Sequence, residues 1–371
     1  MKSVHVQDNN KVNFFGLNQA AMRDYFEGIQ EKPYRASQVM KWIYHHGITD
    51  IDSMTNLARD LRHKLNQTIR FKLPEIEAEH HSSDGTVKWL VRIDEQNCIE
   101  TVFIPEQDRG TLCISSQAGC ALDCSFCATG KQGYSRNLDA AEIIGQLWLA
   151  NSRLGYFNSR SERIVTNVVL MGMGEPLLNF ENVITAVDLM TDDLGFNLAR
   201  RKVTLSTSGI VPGIYKLAET NNISLAISLH APDDELRNTL VPINRKYPIT
   251  ELMKACRYYS EVNRGDPITM EYVMLDGVND SPAQARQLAK ILKGIPVKIN
   301  LIPFNPFTGC GYSRSAAETI DRFREILMNQ GYITVTRKTR GDDINAACGQ
   351  LTGDVVPRAK RLLQQKAELR T

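Results

Sequence analysis

The hydrophobic pattern of the chain changes near residue 75. Between residues 17 and 70, apolar residues recur every three or four positions, as in QAAMRDYFEGI and RASQVMKWIYHHG, and this spacing predicts helices. No strand is predicted before Pro74. From residue 76 the segments IEAEHH and TVKWLVRID, joined by the turn SSDG, predict a β-hairpin. The segments NCIETVFIP and TLCISS, which follow, are also β-rich.

The rest of the chain alternates apolar strands with amphipathic helices. The segments RIVTNVVLMG, KVTLSTS, ISLAISLH, ITMEYVML and VKINLIPF each precede a helical segment, and ITVTRK is predicted as the last strand. Asp139 and Glu142 predict a capping box at the start of the first of these helices. About six strand–helix units predict a parallel sheet, either doubly wound or a partial barrel. In both arrangements functional residues gather in loops after the carboxyl ends of the strands.

The composition indicates which class of protein this chain belongs to. The 371 residues are 42% hydrophobic and 23% charged, as in a soluble globular protein. No apolar run approaches the roughly 20 residues that cross a bilayer, and the first residues lack the apolar core of a secretory signal. We therefore expect a cytoplasmic protein without a membrane partner. In that reducing compartment, cysteines indicate metal binding or catalysis before structural disulfides.

Charge is unevenly distributed along the chain. Residues 1–74 and residues 337–371 each carry a net charge of +4, and the residues between them carry −6. Basic ends around an acidic middle are compatible with binding of a polyanion, and equally with solvated helix faces. If the partner is a polyanion, the helical N-terminal part and the C-terminal segment RLLQQKAELR would contact its phosphates.

Three cysteines lie close together in QAGCALDCSFCATGKQG, residues 117–133. Cys120, Cys124 and Cys127 have the spacing C-x3-C-x2-C. A structural zinc site needs four protein ligands, and no second pair of cysteines or histidines stands at a matching spacing. An iron–sulfur cube has four iron corners, so three thiolates leave one iron open to another ligand. The sequence therefore favours a [4Fe-4S] cluster with one open iron.

This motif resembles that of the radical S-adenosylmethionine (SAM) superfamily, in which Phe126 also has its counterpart. In that superfamily SAM chelates the open iron and is cleaved after receiving one electron. The segment GMGEP, which contains Gly174 and Glu175, resembles the superfamily's glycine-rich segment that holds the SAM amino group. By itself so short a segment could be only a turn.

Further segments resemble one particular family within this superfamily. The cysteine loop with ATGKQGYSRNL, and GMGEPLLN, STSG, AISLHA, LIPFNPF and GDDINAACGQL, together resemble the RlmN-type RNA (adenine-C2) methyltransferase family over nearly the whole chain. The resemblance implies a partial (β/α)6 barrel with a small helical N-terminal domain and a short β extension. The implied divisions are a helical RNA-binding domain (1–74), a β-hairpin extension or linker (75–110), the barrel (111–340) and a C-terminal segment (341–371).

The resemblance also implies an activity, methylation of C2 of adenine 2503 in 23S rRNA and of adenine 37 in tRNAs. Cys348 would take a methyl group from one SAM, and cleavage of a second SAM would turn that methyl into a radical that adds to C2. Cys113 would then attack the sulfur of Cys348, forming a disulfide and releasing the base. Glu100 would accept the C2 proton. Without the resemblance, Glu100 would be interpreted as an ordinary strand residue and the two cysteines as small buried hydrophobes.

The family's SAM contacts fall on residues at the ends of the predicted strands. They are Gly174, Glu175, Ser206, Ser228, Leu229, His230 and Asn305. The resemblance further implies two SAM molecules per turnover and an electron donor such as a flavodoxin-type reductant, and we expect a monomer. His230 on its own would more often be a histidine satisfied within the core.

Two alternatives remain open at this point. A sister family methylates C8 of the same adenine with the same cluster and both working cysteines, so these motifs do not separate the two reactions. A non-catalytic iron–sulfur RNA-binding protein would carry the cluster without needing Cys348.

Overall fold

The structure, a computed structural model, describes residues 11–157 and 163–357. The predicted phosphate-contacting segment RLLQQKAELR lies outside the described residues. By its contacts the chain forms two compact units. The first comprises Met1–Glu75, Asp139–Ile164 and Glu181–Ala199, and the second comprises Ile76–Leu138, Val165–Phe180 and Arg200–Thr371. The division into four segments at residues 74, 110 and 340 remains a prediction.

Helices and strands follow one another along the chain largely as the hydrophobic pattern predicts. The helices are α1 (Gln19–Gly28), α2 (Tyr34–Tyr44), α3 (Arg59–Thr68), α4 (Ala128–Gln132), α5 (Ala140–Arg153), α6 (Phe180–Thr191), α7 (Val211–Thr220), α8 (Asp234–Leu240), α9 (Ile249–Val262), α10 (Pro282–Ile291) and α11 (Ala317–Asn329). The strands are β1 (Val12–Asn13), β2 (Ile69–Arg70), β3 (Glu75–His81), β4 (Val87–Arg92), β5 (Asn97–Glu106), β6 (Arg109–Cys113), β7 (Gln117–Gly119), β8 (Tyr134–Asn137), β9 (Asn167–Leu170), β10 (Val203–Thr207), β11 (Ser224–Ser228), β12 (Ile268–Met274), β13 (Val297–Pro303), β14 (Ile333–Thr336) and β15 (Asp354–Val355).

The first unit is built mainly from helices. The amphipathic helices α1, α2 and α3 bury their apolar faces, including Phe26 of α1 and Met40 of α2. The capping box predicted for α5 is confirmed, since Asp139 and Glu142 each accept a hydrogen bond from the other's backbone N–H. The prediction of no strand before Pro74 is wrong. The two-residue strands β1 and β2 pair in parallel, which a propensity pattern cannot reveal at that length.

The second unit is organised around one large sheet. Its strand order is β14-β13-β12-β11-β10-β9-β6-β5-β4-β3, and β15 pairs with β5. The pairs from β6 through β9 to β14 are parallel, as the strand–helix alternation predicts. The hairpin β3–β4 and strand β5 continue this same sheet, because β5 pairs antiparallel with β6. The β-rich segment before the cysteines is thus an extension of the sheet itself.

Parallel strands place their carboxyl ends at one edge of the sheet. Strand β6 ends at Cys113, β9 ends just before the GMGEP segment, β10 ends at Thr207 and β11 ends at Ser228. Strand β13 ends at Pro303, shortly before Asn305. The topology therefore gathers residues that are far apart in sequence at one edge.

No helix in the described parts of the chain is both long and apolar enough to cross a membrane.

Candidate active site

The three-cysteine loop is held by short elements on both sides. Cys120 directly follows β7, and Cys127 immediately precedes α4. The backbone N–H of Cys127 donates to the carbonyl of Cys124 at 3.1 Å. Gly119 has φ +73°, and a Cβ there would collide with the carbonyl of Gly133, so the loop needs glycine at this point. The sequence pattern misses α4 and the β7–β8 pair, which are too short for periodicity to show.

One cavity collects most of the predicted cluster and SAM residues. This cluster cavity is lined, among others, by Cys120, Cys124, Cys127, Gly174, Glu175, Ser206, Ser228, His230, Asn305 and Cys348. Leu229 does not line it. Its side chain is fully buried and its backbone N–H donates to the carbonyl of Glu271 at 3.0 Å. Ser228 is the last residue of β11 and lines the cavity, whereas Leu229 lies just beyond the strand.

The donor set fits an iron–sulfur cluster. Burial raises the pKa of the Cys120 thiol to about 12 and that of Cys124 well above its ordinary value, and neighbouring sulfurs add to both shifts. Thiolates in such surroundings require a compensating positive charge, which iron supplies. No group of three or more His, Cys, Asp or Glu side chains in residues 11–157 and 163–357 is arranged to hold one metal ion. In a cube each cysteine binds a different iron, so that arrangement is not required.

The GMGEP segment presents a buried carboxylate to the cluster cavity. Glu175 accepts hydrogen bonds from the backbone N–H of Leu177 at 3.1 Å and of Ser208 at 2.7 Å. Its own backbone N–H donates to the side-chain oxygen of Gln117 at 2.8 Å. Burial raises the pKa of Glu175, and the backbone hydrogen bonds oppose that rise. Gly174 has φ +96°, and a Cβ there would collide with Gln117. A carboxylate fixed in this way suits an ammonium group.

His230 is hydrogen-bonded within the core and also lines the cluster cavity. Its Nδ1 accepts from the backbone N–H of Val273 at 3.0 Å, so a neutral ring carries its proton on Nε2. Burial lowers the pKa of His230 to about 3, which keeps the ring neutral. The residue has φ +60°, and Asn279 donates to its carbonyl at 2.9 Å. Phe126 packs edge-on against the ring, with centroids 4.6 Å apart.

The segment that carries Cys348 is bound to the cluster loop. The side-chain amide of Asn305 donates to the carbonyl of Cys348 at 3.2 Å. The backbone N–H of Ala128 donates to the carbonyl of Gly349 at 2.8 Å. The Thr129 hydroxyl also donates to the carbonyl of Leu351. Asn305 thus bridges the end of β13 and the residue predicted to accept the methyl group.

A second cavity brings the two predicted working cysteines together. This thiol cavity is lined by Cys113, Cys348 and Cys127, and by residues of β5, β6, β9, β10, β12, β13 and β14. Cys348 therefore lines both cavities. The pKa of Cys113 is raised to about 12, mainly by burial and further by the charge of Cys348, while Arg337 opposes both effects. Both thiols are free and unbridged.

Glu100 lines neither cavity. The residue is 6% exposed, on β5. Its carboxylate forms an ion pair of 2.9 Å with Lys88 and accepts from the backbone N–H of Thr352 at 2.8 Å. Its backbone N–H contacts the sulfur of Met173 at 3.4 Å. A role in proton removal stays a prediction.

Some residues of the site are not found from the sequence. Arg337 and the buried Glu271 of β12 line both cavities, and Asn300 donates to the Glu271 carboxylate. The negative charge of Cys348 is the main cause that raises the pKa of Arg337. Burial raises the pKa of Glu271, and Arg337 opposes that rise. The sequence offers one sign of Glu271, which is the charged residue within the otherwise apolar strand ITMEYVML. A buried charge is costly without a partner, so a charge at such a position indicates a function.

A parallel sheet with a three-cysteine loop and a carboxylate at its carboxyl edge defines a radical SAM protein. Residues 114–289 match the family model described as the radical SAM superfamily. Residues 12–70 match the model described as the ribosomal RNA large subunit methyltransferase N-terminal domain. The expected fold class, a radical SAM fold with a small helical N-terminal region, is confirmed.

Whole-chain comparisons identify the family. Proteins named dual-specificity RNA methyltransferase RlmN, from strains of Pseudomonas putida, are 54% identical over 352 residues, which are 95% of this chain and 92% of theirs. The crystal structure of a radical SAM methyltransferase from Sphaerobacter thermophilus superposes with a TM-score of 0.85 at 42% identity, covering 92% of this chain and 99% of that one. The chain belongs to the RlmN family.

Proposed function

We propose that this protein is a radical SAM methyltransferase that methylates C2 of adenine 2503 in 23S rRNA and C2 of adenine 37 in tRNAs. The relatives' name, a dual-specificity RNA methyltransferase, supports the substrate class. The observation that carries the proposal is the position of Cys348, which lines both the cluster cavity and the thiol cavity. One side chain can therefore receive a group from SAM on one side and deliver it to a base on the other.

The cluster cavity holds the cofactors in this proposal. Cys120, Cys124 and Cys127 ligate a [4Fe-4S] cluster with one open iron. Glu175 binds the SAM ammonium group through its buried carboxylate, while Ser206, Ser228, His230 and Asn305 line the remaining space. When bound, cluster and SAM supply a methyl donor and one-electron cleavage chemistry, with two SAM molecules used per turnover.

Cys348 is needed because of the electronic character of the substrate. C2 of adenine is electron-poor and does not attack a methyl sulfonium. A thiolate does, so the Cys348 sulfur accepts the methyl group and becomes a thioether, and S-adenosylhomocysteine leaves. The hydrogen bond from Asn305 to the Cys348 carbonyl fixes the segment against the end of β13. The methyl group is thereby kept within the cavity that holds SAM.

Cys113 completes the cycle in the thiol cavity. Its thiolate attacks the sulfur of Cys348, the bond from that sulfur to the methylene carbon breaks, and the electron pair stays on that carbon, which takes up a proton to become the methyl group of the product. The resulting disulfide needs a cellular dithiol to restore both thiols. Glu100 accepts the C2 proton, which requires that the contacts with Lys88 and Thr352 rearrange when RNA is bound.

The RNA enters from the thiol cavity, because both cysteines that meet the base lie there. Lys298 and Lys338 line this cavity and are exposed, so they are suited to contact phosphates. The basic residues 1–74 form the RNA-binding accessory domain. We further propose a flavodoxin-type electron donor, action as a monomer, and a cytoplasmic location.

The test is methyl loading in Cys348→Ala. Anaerobically reconstituted protein is incubated with SAM and an RNA helix containing the target adenine, and intact mass and nucleoside analysis are recorded. We expect the variant to keep its iron content but to carry no protein methyl group and to give no methylated adenine. Cys310→Ala is the matched control, since Cys310 lines neither cavity. Full activity of Cys348→Ala refutes the proposal, and 8-methyladenine from the unchanged protein assigns it to the C8 reaction.

A further inference from the structure

One arginine is entirely buried at the carboxyl edge of the sheet. Arg237, on α8, has no exposed surface. Its Nε donates to the carbonyl of Leu229 at 3.0 Å, and its Nη1 donates to the side-chain oxygen of Asn244 at 2.8 Å. Its Nη2 donates to the carbonyls of Ser208 at 2.8 Å and Ser228 at 3.1 Å. The guanidinium thus binds the backbone just beyond β10 and at the end of β11.

These hydrogen bonds fix the backbone next to predicted SAM contacts. Ser228 lines the cluster cavity itself, and Ser208 also donates its backbone N–H to Glu175 at 2.7 Å. The planar guanidinium of Arg237, whose N–H groups point in fixed directions, therefore holds the ends of β10 and β11 in a fixed position relative to each other. Lysine, a single ammonium on a flexible stem, cannot hold three carbonyls in that geometry.

The charge of Arg237 has no carboxylate partner within 4 Å among the described residues, since its acceptors are carbonyl and amide oxygens. Burial lowers the pKa of Arg237 to about 10, and the negative charges of Cys124, Asp234 and Cys256 oppose this shift, that of Cys124 most. The group is still a cation at neutral pH. A buried cation is costly unless a negative charge compensates it. The cluster loop lies against α8, because the backbone N–H of Ser125 donates to the carbonyl of Leu240 at 3.1 Å.

We propose that Arg237 is a positioning residue that holds the ends of β10 and β11 in register for SAM and supplies the buried positive charge that balances the thiolate-bound cluster. This inference rests on the cluster assignment made under the proposed function. A cube with three thiolates carries a net negative charge and becomes more negative when it accepts an electron. A fixed cation nearby stabilises the reduced form more, so it raises the reduction potential.

The test separates charge from geometry with two variants. Arg237→Gln removes the charge, and Arg237→Lys keeps the charge but loses the fork. Arg257→Gln, at an exposed arginine of α9, is the control for a change in net charge alone. For each reconstituted protein the cluster midpoint potential is measured by an EPR-monitored redox titration without RNA. The KM for SAM and kcat are then measured with RNA.

We expect the midpoint potential of Arg237→Gln to be more negative than that of Arg257→Gln. In Arg237→Lys the potential stays close to that of the control, while the KM for SAM rises severalfold with a smaller loss of kcat. Equal potentials in Arg237→Gln and the control overturn the charge role, and an unchanged KM in Arg237→Lys overturns the positioning role. If Arg237→Gln does not fold, Arg237→Lys decides: a potential well below that of the control would contradict the charge role.

Failure of the proposed function gives a different result. If the unchanged protein binds zinc, or binds no cluster after reconstitution, no potential is measured for any variant and the cluster assignment itself is wrong. If the potential shifts as expected but no RNA is methylated, the role of Arg237 stands and the assigned reaction does not.

Discussion

Lys88 and Glu100 form a buried ion pair of 2.9 Å between adjacent antiparallel strands, with side chains 10% and 8% exposed. The other carboxylate oxygen of Glu100 accepts from the backbone N–H of Thr352. The carboxylate predicted to take up the substrate proton is therefore fully engaged in this state. It links β4 and β5 to the segment that follows Cys348.

Lys88→Met should destabilise the fold. The substitution leaves the buried Glu100 carboxylate without its cation, which costs about 3–5 kcal/mol in the free energy of unfolding. Urea unfolding of the protein without cluster measures this loss. The control is Lys254→Met, whose exposed pair with Glu251 is worth at most about 1 kcal/mol. Equal unfolding free energies in the two variants would show that the buried pair contributes no more to stability than the exposed pair.

Glu100→Gln should slow product release more than methyl loading. The amide keeps an oxygen for the Thr352 N–H but cannot accept the C2 proton. We expect Cys348 to be methylated normally by SAM, followed by a protein–RNA adduct that persists through denaturing electrophoresis. Product formed at the wild-type rate without adduct would exclude Glu100 as the proton acceptor.

Release of the base should accelerate with pH. Burial raises the pKa of Cys113 to about 12, so below that pH the attacking thiolate increases about tenfold per pH unit. In the adduct Cys348 is a thioether without charge, so its contribution to this shift disappears while the effect of burial remains. Single-turnover decay of the adduct between pH 7 and 9 measures the dependence. A rate independent of pH across this range would mean that Cys113 ionisation does not control release.

Replacing both Lys298 and Lys338 by Ala should weaken RNA binding in a salt-dependent way. Each lysine that neutralises a phosphate adds about one to the steepness of log K against log salt, so the double variant should have a shallower slope. Methyl loading of Cys348, which needs no RNA, should be unchanged. Lys293→Ala, at an exposed lysine outside the thiol cavity, is the control. If the double variant and the control have the same slope, the RNA approaches from another face.

The sequence is most informative where chemistry lies in short contiguous motifs. The Asp139–Glu142 capping box, the alternating strands and the loops after them follow from local patterns, and the structure places the three cysteines and Glu175 in one cavity, as the positions of their loops predict. These features depend on neighbours a few residues away, which a pattern records directly.

Contacts between residues that are far apart in the chain cannot be predicted from these local patterns. Arg237 resembles an ordinary charged residue in DELRNTL, and only the packing of α8 shows that its guanidinium binds the backbone at the ends of two strands. The placement of Arg337 in both cavities depends in the same way on tertiary structure. The resemblance predicts Leu229 as a SAM contact beside Ser228; Leu229 does not line the cluster cavity, and its role stays a prediction.

The most direct test is the state of Cys113→Ala after expression with cellular RNA present. Without the second thiol, the bond between Cys348 and the base cannot be broken. The account predicts that purified Cys113→Ala carries RNA that survives denaturation, and that nuclease digestion followed by peptide mass spectrometry finds a nucleotide attached to Cys348. Protein free of RNA, or RNA attached to another residue, would contradict it.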